Sequence, residues 1–311
     1  MSPRLRLPGQ RTILRAVGRV RSVAAGPEVS PRRIRQHLAE LRDTPLPRLA
    51  DSPATSLGVV VPCYGHAAYV PTMLRSLAAQ TRLPDEVILV VDASPDDTAA
   101  ILREAIAALG NGRGAGSAGS AGSAAADALG NGLGPRCRLL VNERNMGQAA
   151  SINRAVEAAS SDLVAILNDD DYLLHDAVAT LLALFAEHPE LALIGAHSLQ
   201  FRTDADLEGL PLTVAEQAGG RPVPLAIRQP AEVPGYRRYN DLNMTHSGSC
   251  FRRAAWAVAG GYRPDRDRRV VPFSDRDFQL RVNALFPVGV CAETAFSLWR
   301  VGSSVDHGLN S

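Results

Sequence analysis

The sequence predicts an α/β fold with a mainly parallel sheet flanked by helices, and three observations predict it. Short, fully apolar runs such as LGVVV, EVILVV and LVAIL recur along the chain. They alternate with segments of helical periodicity. Acidic residues follow directly on two of the runs, at what would be the carboxyl edge of such a sheet, where α/β folds bind their ligands.

In order, Leu57–Val61 reads as a buried strand that Pro62 breaks. Val70, Met73, Leu74 and Leu77 mark a helix over 70–80. Glu86–Val91 is the second strand, with Asp92 at its end. Asp96 and Asp97 open a helix running to Leu109, acidic side chains lying where the helix dipole favours them. Cys137–Val141 is a third strand and Gly147–Ala159 a third helix. Leu163–Leu167 is a fourth strand, ending in Asn168-Asp169-Asp170-Asp171. A helix over 176–187 and a strand over 191–198 follow. The sequence after Thr203 is irregular.

Two segments stand apart. Residues 1–50 hold eleven arginines against Glu28, Glu40 and Asp43, so this part carries +8 and the remainder −7. Leu14, Val17 and Val20, then Ile34, Leu38 and Leu41, suggest two short amphipathic helices. A solvated, partly ordered extension and a surface docking to anionic lipid or a protein partner are both consistent with this composition. From Gly110 to Gly134, nine of 25 residues are glycine, which predicts a flexible surface insertion without chemistry. The expected organisation is therefore an extension over 1–55, a ligand-binding half over 56–203 that carries this insertion, and a second half over 204–311.

Composition excludes several functions. The 33 basic residues balance 32 acidic ones to a net charge of +1, which argues against a nucleic-acid binder. Every basic residue is arginine. With no lysine, Schiff-base chemistry and a P-loop lysine are excluded. The cysteines at 63, 137, 250 and 291 form no CxxC pair, as expected of a reduced, cytoplasmic protein. No apolar run is long enough for a membrane span, and the first residues lack the apolar centre of a secretory signal.

Three constellations carry candidate chemistry. Three successive carboxylates, Asp169, Asp170 and Asp171, repel one another, and a divalent cation with a taste for oxygen ligands would relieve that repulsion; a solvated acidic loop is the plainer reading. Asp275, in SDRDFQLRV, sits at the start of a segment whose buried side is expected to be Phe278, Leu280, Val282 and Leu285. It is placed either to cap a helix or to take a proton from a hydroxyl. In NERNMGQ, between the third strand and third helix, backbone amides beside Arg144 could hold an anion.

Taken in order, VVVPCYGHAAYVPTMLRSLAAQT, VILVVDASPDDT, NERNMGQAASINRAVEAASSDLVAILNDDD, SGSCFRRAAWAVAGGYRPD and FSDRDFQLRV resemble the family 2 glycosyltransferases, from about Ser56 to His307. The resemblance implies a GT-A (Rossmann-like) fold with a smaller acceptor-side region. It implies transfer of a sugar from a UDP- or dTDP-sugar to a hydroxyl acceptor, with inversion and with Mn2+ or Mg2+. Pro62 and Tyr64 would line the nucleotide pocket, Asp92 would meet base or ribose, and Arg144 would lie near the diphosphate. Asp170 would be the principal metal ligand, with Asp169 and Asp171 holding ribose, metal or sugar. Asp275 would be the base, and His307 would stand near the metal. The pattern departs from the family at Ala93, Asn168 and Ser274, each where an acidic residue is common. Two other classes fit less well: a non-catalytic sugar-nucleotide-binding scaffold, and a metal-dependent nucleotidyltransferase, which would ordinarily use the missing lysine.

Docking of residues 1–50 at the inner face of a membrane predicts that the protein pellets with anionic liposomes at low salt and is released at high salt. No pelleting at low salt removes that reading.

Overall fold

The structure is a computed structural model and describes residues 45–110, 133–230, 242, 244–264 and 274–303. The expected helices near the N-terminus, most of the glycine-rich insertion, and His307 lie outside the described residues.

The strands are β1 (Leu57–Cys63), β2 (Glu86–Val91), β3 (Cys137–Val141), β4 (Leu163–Ile166), β5 (Tyr172–Leu173), β6 (Leu193–Phe201), β7 (Ala226–Arg228), β8 (Cys250–Arg252) and β9 (Val288–Arg300). The helices are α1 (Val70–Ala78), α2 (Thr98–Gly110), α3 (Gln148–Ala158), α4 (Ala177–Glu187), α5 (Val214–Gln217), α6 (Arg253–Ala259) and α7 (Ser274–Leu285). Among the described residues the strands form one sheet of order β3-β2-β1-β4-β8-β6-β9-β5, with β7 also on β9. The pairs β3/β2, β2/β1, β1/β4 and β6/β9 are parallel. The short strands β8, β5 and β7 run against their neighbours.

Both faces of the sheet are covered, which is why its central strands are apolar throughout. Val59 and Val61 belong to a core that includes Met73, Leu74 and Leu77 of α1 and Leu181 and Phe185 of α4. Val60, Ile88, Val90 and Ile166 point the other way, into a core with Ile152 and Val156 of α3 and Phe278 and Val282 of α7. The period of two in a strand thus divides one apolar run between two cores.

Two local expectations need correction. Pro62 does not end β1, which continues to Cys63 in register with Val91. The carbonyl of Cys63 accepts from Asp92 N on the β2 side, whereas that of Val60 accepts from Leu167 N on the β4 side. Pro62 therefore turns its missing N–H toward β4, whose ladder with β1 has already ended at Ile166. Leu280 does not share the buried side of α7. It is half-buried, while Asp277, Phe278, Arg281, Val282 and Leu285 are buried. Positions 278, 282 and 285 keep the helical spacing, and 280 falls off that face.

Strand β9, at 13 residues, is the longest element formed by the irregular C-terminal third. Its pairing with β6 jumps from Ala196↔Cys291 to His197↔Ala295, so three residues of β9 bulge out and the strand bends. Its two halves contact different antiparallel strands, β7 and β5.

Arginine, the sole basic residue of the chain, does work here that lysine's point charge could not. Arg252 is buried and donates to the carbonyls of Leu191, Ser52 and Pro189, each at 2.9 Å. Arg281 pairs with Asp277 at 2.8 Å, with side chains 1% and 2% exposed, and also donates to Gly261 O at 2.6 Å and to Ala259 O. Its planar fork reaches three acceptors at once. Breaking a buried pair strands the remaining charge, so Asp277→Ala is expected to lower unfolding free energy by about 3–5 kcal/mol in urea titration. The double variant Asp277→Leu/Arg281→Met should recover most of that loss, because it leaves no unpaired charge.

Candidate active site

The carboxyl ends of β1, β2 and β3 are in step. Asp92 N donates to Cys63 O at 3.0 Å and Asn142 N to Val91 O at 2.8 Å. Beyond β4 the chain leaves the sheet as Asn168–Asp171, beside the turn that follows β1. All three carboxylates are buried, at 4% for Asp169, 7% for Asp170 and 1% for Asp171. A buried carboxylate requires donors or positive charge, and each has them.

Asp169 accepts from Tyr64 N at 2.9 Å and lies 2.7 Å from His66 Nδ1. Burial by itself would lower the His66 pKa. The hydrogen bond to Asp169, with the charges of Asp169 and Asp170, outweighs this and raises it to about 9. His66 is therefore an imidazolium at neutral pH, and its Nε2 donates to Ser303 O at 2.9 Å. Asp170 accepts from Ser303 Oγ at 2.5 Å. Asp171 accepts from Arg300 N at 3.0 Å and from Asn168 Nδ2 at 3.2 Å. Its pKa is pushed up to about 8, by burial first and then by the Asp170 charge. The mutual repulsion of the triplet is thus relieved within the chain, by a donor to each carboxylate and by the His66 ring beside Asp169.

Arg300 fixes the backbone of this turn. Its Nε donates to Asp170 O at 3.0 Å, its guanidinium pairs with Asp204 at 2.7 Å, and it stacks 4.4 Å from the Tyr69 ring centroid and 4.3 Å from that of Phe201.

The other predicted donor-side residues are placed as follows. Pro62 is buried in β1 and Tyr64 is half-buried in the turn after it. Asp92 accepts from Asn142 Nδ2 at 2.7 Å, Met146 N at 2.8 Å and Gly147 N at 2.7 Å, so it holds the loop between β3 and α3. Gly147 has φ +85°, which lets that loop turn into α3. Next to Asp92, Ala93 sits at φ +50°, the left-handed region that a non-glycine residue seldom occupies. Arg144 is exposed at the tip of the same loop.

A second loop, Thr245–Ser249, approaches the triplet from the side. Ile166 N donates to Ser249 O at 2.9 Å, Gly248 N to Ile166 O at 2.8 Å, and Asn168 N to Ser247 Oγ at 3.0 Å. Gly248, at φ +81°, packs so closely on β9 that a Cβ would lie 3.0 Å from Phe296 Cβ and from Ser297 Oγ. The adjacent His246 faces the start of α7: its Nε2 lies 3.2 Å from the Tyr262 hydroxyl, and both feel the charge of half-buried Asp275. One loop therefore touches the carboxylate triplet at Ser247 and the surroundings of Asp275 at His246. Sequence reasoning did not single out His66, His246, Tyr262, Arg300 or Ser303. His66 lies three residues beyond a strand end, in PCYGH, and that position was the available signal.

His66, Asp169 and Asp170 each present a ligand atom, and these lie within 4.8 Å of one another. The two carboxylate oxygens suit a manganese or magnesium ion, whereas an imidazole nitrogen is a ligand more usual for zinc, copper, iron or nickel. The four cysteines are buried and unpaired as disulfides. Burial raises their pKa values, to about 12 for Cys137 and Cys291, so they behave as packing groups. No helix among the described residues is long and apolar enough to cross a membrane.

A parallel sheet with an antiparallel insertion, and an acidic turn after the strand beside that insertion, give the architecture of a GT-A fold. Residues 58–207, just under half of the chain, match glycosyl transferase family 2. An uncharacterized protein of Mycobacterium tuberculosis is 29% identical over 131 residues, which cover 42% of this chain and 33% of that protein. The fold is similar to that of S. aureus TarS 1–349, with a TM-score of 0.54 and 17% identity over 79% of this chain and 60% of that one. The same fragment in complex with UDP-GlcNAc gives a TM-score of 0.53 at 17% identity, over 79% of this chain and 58% of that one. The chain thus spans about a third of its curated relative and three fifths of the TarS fragment.

Arg300→Lys retains the charge but loses the fork and both stacking contacts. It is expected to lower stability by about 2–3 kcal/mol in urea denaturation. A change below about 0.5 kcal/mol would show that the turn holds itself.

Proposed function

We propose that this protein transfers a glycosyl group from a nucleoside-diphosphate sugar, with uracil or thymine as base, to a hydroxyl acceptor, inverting the anomeric carbon. The observation that carries the reading is the single loop, Thr245–Ser249, that joins the buried triplet to the neighbourhood of Asp275. A donor sugar held at one end of that loop would present its anomeric carbon toward the other.

The donor side is read from the residues of this chain. Tyr64 and Pro62 border the nucleotide, and Asp92 keeps the Asn142–Gly147 loop, with exposed Arg144 at its tip, beside the pocket. Asp170, with Asp169 and His66, would hold Mn2+ or Mg2+, which supplies positive charge against the diphosphate as it departs. Arg144 adds a second charge on the side open to solvent. Binding of a dication requires His66 to give up its proton or its place, and the imidazolium fills that electrostatic role until then. The proposed role of Asp171 is to set the turn through Arg300 N rather than to touch the sugar.

The acceptor side rests on Asp275. Its carboxylate takes the proton of the acceptor hydroxyl as that oxygen attacks the anomeric carbon from the face opposite the diphosphate. The bond from carbon to diphosphate oxygen breaks with its electron pair, and the nucleoside diphosphate leaves. General-base assistance is worth about 10²–10⁴ in rate. The family match and the fold support this reading, as does a TarS complex with UDP-GlcNAc of similar fold.

Asp275→Asn is expected to lower kcat by about 10²–10⁴ while the donor Kd, measured by calorimetry with manganese, stays within about threefold. A fall in donor affinity as large as the fall in rate would contradict the base assignment. For Asp170→Ala, manganese-dependent donor binding should disappear in the same calorimeter.

A further inference from the structure

Tyr262 is held more firmly than a surface-loop tyrosine needs to be. Its N–H donates to Asn153 Oδ1 at 2.8 Å and its carbonyl accepts from Asn153 Nδ2 at 2.7 Å. Its ring stacks on Phe278, with centroids 4.3 Å apart and planes at 21°, and meets Phe251 at 6.3 Å. The residue is 2% exposed. A hydroxyl buried this way needs a partner, and its partner is His246 Nε2 at 3.2 Å. A protonated phenol can donate or accept, but its buried hydrogen has no acceptor among the described residues other than His246 Nε2, so the hydroxyl donates there. A ring nitrogen that accepts carries no hydrogen, which puts the proton of a neutral His246 on Nδ1. Burial and the charge of Arg276 keep that ring neutral against the pull of Asp275.

Among the described residues nothing accepts from His246 Nδ1. The ring is half-buried, its residue adjoins Ser247, which holds the carboxylate turn, and it feels the charge of Asp275, one turn ahead of the Phe278 on which Tyr262 stacks. Tyr262 orients the ring, and Nδ1 is left to donate.

We propose that His246 is an acceptor-positioning residue: with its tautomer locked by Tyr262, it donates Nδ1–H to an oxygen of the acceptor next to the hydroxyl that Asp275 deprotonates. This rests on the glycosyl-transfer reading. It selects acceptors with a second oxygen close to the reacting hydroxyl, as in the vicinal diol of a sugar, over simple alcohols. His246 makes and breaks no bond in the reaction.

Two measurements on the full chain test it. Nitrogen-15 NMR of histidine-labelled protein at pH 7.5, without ligand, should show His246 as the neutral Nδ1–H tautomer, and Tyr262→Phe should mix the two tautomers. An Nε2–H tautomer in the wild type overturns the proposal whatever the enzyme does. The second is kinetic, with methyl glycosides as acceptors and with UDP- and dTDP-sugars plus manganese as donors. An asparagine amide can stand where Nδ1 stands and a glutamine amide where Nε2 stands. His246→Asn should therefore keep the acceptor KM within about threefold, whereas His246→Gln and His246→Ala raise it about tenfold, the worth of one hydrogen bond. Equal losses in all three variants, or a rise in acceptor KM for His246→Asn as large as for His246→Ala, overturn the assignment. A wild type that turns over no donor refutes the glycosyl-transfer reading instead, and the tautomer is still read by NMR.

Discussion

Burial of three successive carboxylates at the end of β4 is the constraint to which the rest of the site answers. Charge of that density cannot sit at the edge of a covered sheet without compensation. The compensation comes from far along the chain: Tyr64 and His66 after β1, Ser247 before β8, and Arg300 and Ser303 at the end of β9. Folding the triplet into place therefore requires both ends of the described chain to arrive at one point. In the proposed reading, a metal ion would replace some of the partners that the chain supplies itself.

Arginine chemistry is the second thread. Arg252, Arg281 and Arg300 are each buried, and each collects backbone carbonyls from segments that lack regular pairing. Arg252 ties the stretch before β1 to the turn before β6, and Arg281 ties α7 to the end of α6. Arg300 ties the acidic turn to β9. The guanidinium is charged at any accessible pH and is less strongly hydrated than an ammonium, so it tolerates such positions. The absence of lysine, which at first only excludes functions, acquires a structural meaning here.

The part of the fold before Thr203 was legible in the sequence because its strands are short apolar runs bounded by polar turns. Cys137–Val141 matches to the residue, and Glu86–Val91 likewise. Helix ends differ by one or two residues, as at Gln80, where a side-chain amide bonds to Leu174 O after the helix has ended. Strand β9 was not legible. Its two halves face different neighbours across a bulge, so Glu293, Thr294 and Ser297 interrupt any regular alternation. Of the site, the carboxylates showed in the sequence because three in a row are unusual. The residues that hold them did not: His66, Ser247, Arg300 and Ser303 are ordinary singly, and pairing at separations of 79 residues or more leaves no local trace.

The central claim is that the acidic turn and Asp275 serve one cleft. A crystal structure of the full chain with manganese and an intact UDP-sugar tests it most directly. The account predicts anomalous manganese density against Asp170, the diphosphate beside it, and the anomeric carbon facing Asp275 across open space. Manganese bound away from the turn, or a sugar directed away from Asp275, would contradict it.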